Sequence, residues 1–362
     1  MQQLRVIISG GGTGGHIFPA IAIANALKKK VREIEILFVG ALGKMEMEKV
    51  PAAGYKIEGL PISGLQRKLT LKNLSFPFKI ISSLLRAKKI LKQFKPNIVI
   101  GTGGYASGPM LRVAANNHIP TLIQEQNCFP GITNKLLSKR VNRICVAYEG
   151  MEKYFPKQKI ILTGNPVRQD VMTIVGKKSE AYGFFKLSEA KKTLLVIGGS
   201  LGARTINESI AVAVELFTKN NIQVIWQTGK LNYETLQKYE SENIKIFDFI
   251  SKMDFAYACA DLVVSRAGAI SISELCLTAK AAILVPSPNV AEDHQTKNAM
   301  ALTDRQAAIL IKDSEAKEKL GNCVVGLFKN ELEIKNLQTN ISKLALHNSD
   351  DLIADEVLKL VK

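Results

Sequence analysis

The sequence predicts an α/β chain built from two doubly wound parallel-sheet domains that face an interdomain cleft. Short β-branched apolar runs alternate with segments of helical spacing along nearly the whole chain, which is the pattern of parallel sheets covered by helices. Strands run directly into glycine-dense turns that open helices, in both halves of the sequence. The 362 residues are enough for two domains of ordinary size, each with its own core.

The first strand is Val6-Ile7-Ile8, followed by Gly10-Gly11-Gly12-Thr13-Gly14-Gly15-His16 and the amphipathic run Ile17 to Leu27. Such a junction gathers backbone N–H groups at the start of a helix, where the dipole favours negative charge, so it is a diphosphate cradle. His16 sits at its mouth. Gly10, Gly12 and Gly15 also satisfy G-x-G-x-x-G, but a dinucleotide site needs an acid about 20 residues on, closing the second strand. That strand, Ile34 to Val39, closes on Gly40 and has Glu35 at its start, which disfavours a nicotinamide or flavin site.

Gly59 to Gly64 reads as a loop, followed by a basic helix whose Ile80, Leu84, Ala87, Leu91 and Phe94 have the spacing of a core-facing stripe. Pro96-Asn97-Ile98-Val99-Ile100 reads as a strand that enters a second glycine loop, Gly101 to Pro109. Pro120-Thr121-Leu122-Ile123 is another, with Gln124 to Asn127 as its C-terminal loop. Ligands of open α/β sheets bind outside the carboxyl ends of the strands, so the three loops should converge on one edge. Ile144 to Val146 and Ile160 to Leu162 follow, and Thr163 to Arg168 reads as the interdomain connection.

The second half opens with Thr193 to Ile197 and the turn Gly198 to Ala203, then strands at Ile222 to Trp226, Ile244 to Phe247 and Leu262 to Val264. Ser265-Arg266-Ala267-Gly268 leads into a helical run through Leu275. Ala282 to Pro286 ends in a loop carrying Glu292 to Asn298. This gives two Rossmann-like domains, 1–165 and 166–344, with a C-terminal helix at about 345–362 that packs back on the first.

Composition is that of a globular chain, 46% hydrophobic and 22% charged, with no run near the roughly 18 apolar residues of a membrane span and no signal-peptide pattern. A cytosolic protein is expected. The five cysteines are widely spaced without C-x-x-C pairs and read as reduced, mostly buried thiols. A net charge of +17 implies an anionic partner. Between Glu58 and Glu125 there is no acid, while ten Lys and Arg residues from Arg67 to Arg112 fall there, the first of them interleaved with Leu69, Leu71, Leu74, Phe76 and Phe78. Apolar residues among cations suit an anionic bilayer, and the expected contact is Leu69 to Lys79.

Three features in order resemble one family. They are Gly12-Thr13-Gly14-Gly15-His16-Ile17-Phe18-Pro19; Gly103 to Pro109 with Glu125-Gln126-Asn127; and Gly164-Asn165-Pro166-Val167-Arg168 with Gly198 to Ala203 and Ser265 to Gly268. The set resembles the MurG family of bacterial N-acetylglucosamine transferases, with matches from residue 5 to about 300. The resemblance implies a GT-B glycosyltransferase fold, UDP-N-acetylglucosamine as donor and lipid I as acceptor, giving lipid II for peptidoglycan synthesis with inversion at the anomeric carbon. It implies donor contacts from Thr13, Gly14, Gly15, Asn127, Arg168, Ser200, Ile250, Ala269, Ile270, Ser271, Ile272, Ser273, Glu274 and Gln295. Acceptor contacts would come from Gly103, Gly104, Tyr105 and Glu125. The N-terminal domain would take the acceptor and associate with the membrane, and the C-terminal domain would hold the UDP-sugar. Location would be peripheral, on the cytoplasmic side of the inner membrane, with cell-wall synthesis or division proteins as further partners and no nucleic acid. Where many relatives carry histidine this chain has Gln124, which argues against proton transfer there, and where they often carry a second glutamine it has His294.

Within that resemblance His16 is assigned as the base, because an imidazole with a pKa of about 6.5 accepts a proton near neutral pH. The bland alternative is a helix cap or phosphate contact. Glu274 would accept two ribose hydroxyls, and Ser200 with its neighbouring amides would bind the diphosphate. Arg168 or Arg266 would add positive charge. Glu125 is either a second acid/base or the residue that fixes the Asn127 loop, and Tyr105 either lines the acceptor site or packs beneath it. No Asp-x-Asp motif occurs, so neither metal nor cofactor is expected. An epimerase of the same donor, a nicotinamide oxidoreductase and a nucleic-acid binder are the rivals; with 6% aromatics, the last lacks stacking residues and leaves the glycine loops unexplained.

Overall fold

The structure, a computed structural model, describes residues 3–63, 76–199 and 202–361. The chain divides into two compact units, Met1–Val167 with Asn348–Lys362, and Arg168–His347. In the first the order is β1 (Leu4–Gly10), α1 (Gly14–Lys30), β2 (Ile34–Ala41), α2 (Glu46–Ala52), β3 (Lys56–Leu60), α3 (Phe76–Phe94), β4 (Ile98–Gly103), α4 (Ser107–Asn116), β5 (Thr121–Glu125), α5 (Ile132–Leu137), β6 (Arg143–Val146) and β7 (Ile160–Leu162). The second unit runs α6 (Lys178–Phe185), β8 (Thr193–Ile197), α7 (Arg204–Lys219), β9 (Gln223–Gln227), α8 (Lys230–Leu236), β10 (Ile244–Phe247), α9 (Met253–Cys259), β11 (Leu262–Ser265), α10 (Ala269–Leu277), β12 (Ala281–Leu284), α11 (His294–Thr303), β13 (Ile309–Leu310), α12 (Ala316–Lys329) and α13 (Glu331–Ser342). The terminal α14 (Ser349–Val361) belongs to the first.

All described strand pairs are parallel. The first sheet has the order β3-β2-β1-β4-β5-β6-β7 and the second β10-β9-β8-β11-β12-β13. Each is therefore doubly wound, with the order reversing between β1 and β4 in one unit and between β8 and β11 in the other, the place where such sheets open a crevice. Alternate residues of one strand feed opposite cores. Val6 and Ile8 pack with α1 and α14, whereas Ile7 packs with α3 and α4. In β8, Leu194 and Val196 join one core and Leu195 and Ile197 the other. Because both faces are covered, these strands read as continuous apolar runs, and each fully buried Val, Leu or Ile contributes about 1.5–3 kcal/mol.

Helix α14 closes the back of the first unit. Ile353, Ala354 and Val357 are fully buried against the α1 side, and Lys30 pairs with Asp355 at 2.8 Å and Asp351 at 3.8 Å. No helix among the described residues is long and apolar enough to cross a membrane. All five cysteines are thiols outside any disulfide, with Cys145, Cys259 and Cys276 buried.

Several elements differ from the sequence expectation. Gly59 and Leu60, read as the start of a loop, end β3, an edge strand whose mixed Lys-Ile-Glu-Gly-Leu composition hides it. Helix α2 and the two-residue β13 were not anticipated. Of the expected membrane segment only Phe76 onward falls within the described residues; 64–75 lie outside them, as do Ser200 and Leu201.

Lys280 follows α10, and its ammonium donates to the Ala260 carbonyl at 2.8 Å. Burial pushes its pKa down to about 8, against the pull of Asp261. Above that value the unfolded chain binds the proton that the folded chain has lost, so this residue makes stability rise with pH from about 8 to about 10. The buried thiols Cys145, Cys259 and Cys276, pushed up to about 12, act oppositely above about 8.5. Comparison with Lys280→Met isolates the lysine: in urea unfolding, wild-type stability relative to the variant should rise steadily across that range. A pH-independent difference would remove the assignment.

Candidate functional site

In the first unit the carboxyl ends of β1, β4 and β5 bring together the three expected loops. Gly11 N–H donates to Gly103 O at 3.3 Å, Thr102 Oγ1 donates to His16 O at 2.9 Å, and Gln126 Nε2 donates to Thr102 O at 2.8 Å. Gly104, with φ of +84°, sits where a Cβ would overlap the Gly11 carbonyl. Thr13 is the extended N-cap of α1 but makes no side-chain capping bond. Both Gly14 and Gly15 fall in the first turn, where helix amides have no partner within the helix. His16 is half-buried, with Nδ1 3.0 Å from Gly11 O and 3.3 Å from Thr13 Oγ1. A Cβ on Gly103 would lie 2.8 Å from the imidazole, so glycine there makes room for the ring. Tyr105 is half exposed beside it.

Glu125 is buried, and both oxygens are engaged. Oε1 accepts from Asn127 N at 3.0 Å and Asn127 Nδ2 at 3.3 Å, and Oε2 from Gly131 N at 3.1 Å and Asn134 Nδ2 at 2.8 Å. Burial holds its carboxyl above the usual range, and these bonds oppose it. These bonds tie the Asn127 loop to the start of α5. Behind it Gln124 Nε2 donates to Asn165 Oδ1 at 2.9 Å, and Asn165 Nδ2 donates to Gln126 O at 3.0 Å. Gln124 is thereby a structural amide.

In the second unit the corresponding edge carries Gly198-Gly199 after β8 and the N-terminus of α10 after β11. Gly268 is the extended N-cap of α10 and also lacks a side-chain capping bond. Ala269, Ile270 and Ser271 form the first turn, where amides have no partner within the helix and the dipole favours negative charge. Glu274 lies a turn further on, buried. Arg168 Nε reaches its Oε1 at 3.3 Å, and buried Tyr257 donates to Oε2 at 3.0 Å. Burial holds the Glu274 carboxyl above its ordinary range against the opposing Arg168 charge and Tyr257 hydrogen bond. Each carboxylate oxygen still has a second lone pair for a hydroxyl. Ile250 is buried, its N–H donating to Gln227 Oε1 at 3.1 Å while Gln227 Nε2 donates to Gly199 O at 3.0 Å. Gln295 Oε1 accepts Ser287 N–H at 2.8 Å. Arg266, the other cation considered for the diphosphate, has its Nη1 bonded to Asp313 and to the carbonyls of Val285 and Pro286.

Thr13, Gly14, Gly15, His16, Asn127 and the Gly103–Tyr105 loop thus belong to the first unit, and Arg168, Ile250, Ala269 to Glu274 and Gln295 to the second. Sequence reasoning missed Glu46, whose carboxylate accepts Gly12 N–H, and also Gln227 and Tyr257. An acid was sought at the end of β2; Glu46 lies six residues past Gly40 and reaches back. Among the described residues no group of three or more His, Cys, Asp or Glu side chains forms a metal-ligating cluster.

Two domain families match the chain: the glycosyltransferase family 28 N-terminal domain over residues 6–146 and its C-terminal domain over residues 193–355. A Flavobacterium psychrophilum protein named UDP-N-acetylglucosamine--N-acetylmuramyl-(pentapeptide) pyrophosphoryl-undecaprenol N-acetylglucosamine transferase is 55% identical over 363 residues, spanning 100% of this chain and 99% of its own. The crystal structure of Acinetobacter baumannii MurG superposes with a TM-score of 0.80 at 29% identity, over 98% of this chain and 99% of that one. The UDP-GlcNAc 2-epimerase of Neisseria meningitidis, bound to UDP-GlcNAc, reaches a TM-score of 0.66 at 15% identity, over 99% of this chain and 100% of that one, which shows a shared fold alone.

Proposed function

The chain belongs to glycosyltransferase family 28 and within it to the MurG family, and from that we infer that it transfers N-acetylglucosamine from UDP-N-acetylglucosamine to the muramyl 4-hydroxyl of lipid I, forming lipid II. The observation that carries the reading is the 55% identity along the whole chain to a relative so named. The second unit takes the donor. Amides at the start of α10 and around Gly199, with Arg168, suit the diphosphate, and Glu274 suits the ribose hydroxyls. The first unit takes the acceptor at the Gly12–His16 and Gly103–Tyr105 loops.

In the transfer the muramyl hydroxyl oxygen attacks C1 of the sugar, the bond from C1 to the diphosphate oxygen breaks, and the hydroxyl proton passes to His16. UDP leaves with the electron pair, and its growing charge meets preorganised amides at a helix N-terminus. Those donors and Arg168 supply the electrostatic stabilisation, so the reading is of a metal-independent transfer.

Membrane docking belongs to the same proposal, as a peripheral contact on the cytoplasmic face. On α3, Phe78, Ile81 and Leu85 are 74%, 57% and 65% exposed and share one face, and that stripe continues into exposed Lys88, Lys89 and Lys92. Ile132 and Leu136 of α5 are exposed as well, and α4 packs against both helices. Apolar side chains beside lysines suit an anionic bilayer, where each cation adds about 1 kcal/mol.

UDP release in EDTA, with and without the lipid-linked acceptor, tests the activity; acceptor-dependent release is expected, and epimerised donor or release without acceptor would overturn it. His16→Ala should lower kcat about 10²- to 10⁴-fold with donor KM little changed. Glu274→Ala should weaken UDP binding, read by calorimetry, by roughly tenfold to a hundredfold, and Tyr257→Phe by a few-fold. Replacing Ile81 and Leu85 together by Glu should cut binding to phosphatidylglycerol vesicles at least tenfold while turnover of a soluble short-chain acceptor persists. Unchanged vesicle binding would move the docking face elsewhere.

A further inference from the structure

The peptide unit joining Gly11 to Gly12 is held from two sides. Its N–H, that of Gly12, donates to Glu46 Oε2 at 2.8 Å. Its carbonyl, that of Gly11, lies 3.0 Å from His16 Nδ1. Glu46 is 0% exposed, and its Oε1 accepts the N–H of Ala41 at 2.9 Å. A Cβ on Gly11 would overlap the Glu46 carboxylate, and one on Gly40 would lie 2.5 Å from its Cγ, so two glycines make room for one side chain. Glu46 stands in the first turn of α2, which supplies none of the other site residues.

In a trans peptide the N–H and C=O point in opposite directions, so fixing the N–H on Glu46 aims the Gly11 carbonyl at His16. A carbonyl only accepts. The nitrogen facing it therefore carries the hydrogen, which places the imidazole lone pair on Nε2. Hydrogen bonds in series polarise one another, so a carboxylate on the N–H end strengthens the carbonyl as an acceptor at the other.

We infer that Glu46 is a positioning residue for His16, acting through the Gly11–Gly12 peptide to hold the imidazole as the Nδ1–H tautomer with Nε2 as the proton-accepting nitrogen. The inference rests on the reading of His16 as the base. A peptide unit stands between acid and imidazole where a direct contact would otherwise orient the ring. It also divides the labour of the glycine loop: the Gly12 amide is committed to Glu46, and anion binding falls to Gly14 and Gly15.

Glu46→Gln keeps the shape and removes the charge, and its single carbonyl oxygen no longer serves both amides. With full-length protein, UDP-N-acetylglucosamine and a lipid-linked acceptor, kcat should fall roughly 10- to 100-fold, the size typical of orienting partners, with donor KM within about twofold. Two-bond nitrogen–proton NMR of protein labelled at histidine should show Nδ1–H for His16 in the wild type and a mixture of tautomers in Glu46→Gln. Glu46→Asp, which keeps the charge, should recover part of the rate. A wild-type His16 protonated on Nε2 overturns the proposal without any variant, which covers a Glu46→Gln chain that fails to fold. Unchanged kcat, or lost rate with the tautomer intact, also overturns it. Full turnover by His16→Ala would instead remove the base reading, and it would do so with the tautomer result standing, so the two failures are separable.

Discussion

Two loops of the first unit touch backbone to backbone where β1 and β4 diverge. Gly11 N–H donates to Gly103 O, and the Gly104 Cα stands where any side chain would enter the Gly11 carbonyl. The register between the strands shifts at that point, from Ser9 opposite Gly101 to Gly10 opposite Gly103. Glycine density here answers first to that approach, and only then to the needs of an anion. Once the loops are in contact, His16 is boxed by Gly103 on one side and Gly11 on the other. Its placement follows from the sheet topology, because only at a switch point do adjacent loops leave in opposite directions and open room between them.

Three buried carboxylates then do similar structural work at the ends of the strands. Glu46 ties the first glycine loop to the end of β2, Glu125 ties the Asn127 loop to α5, and Glu274 gathers Arg168 and Tyr257. Burying a charge is costly unless donors surround it, and each of these accepts at least two. They differ in what they hold. Glu46 and Glu125 accept backbone N–H groups and so fix loop shape, whereas the partners of Glu274 are side chains, which a competing hydroxyl can displace or share. That difference suits Glu274 to a ligand and the other two to the frame.

The strands were legible because both sheet faces are covered, so Val6-Ile7-Ile8 or Leu194-Leu195-Val196-Ile197 reads as an uninterrupted apolar run. β3 and β13 escaped because one is mixed in composition and the other two residues long, which an edge tolerates, whereas the edges β7 and β10 keep apolar residues that show. Glycine loops were legible because they are local. The groups that orient them are not: Glu46 lies 34 residues from Gly12, and Gln227 is 23 from Ile250. Arg266 beside its glycine turn is likewise held by distant partners, Asp313 and two carbonyls past β12. Local pattern names the loop; only the fold says which side chain holds it.

Charge is distributed by the same logic. Around α14 cations meet acids: Lys30 with Asp351 and Asp355, Arg143 with Glu356. Midway along α3 Arg86 meets Glu58. Beyond it the acid-free stretch from 59 to 124 offers Lys88, Lys89 and Lys92 no acid of their own segment, and none forms an ion pair among the described residues. These three lysines lie on a helix that also exposes Phe78, Ile81 and Leu85. Charge alone would suit any polyanion, and exposed apolar groups alone any protein. The proposed bilayer contact rests on their continuity along a single helical stripe, in which lysines would remain at the headgroups while the neighbouring side chains leave water.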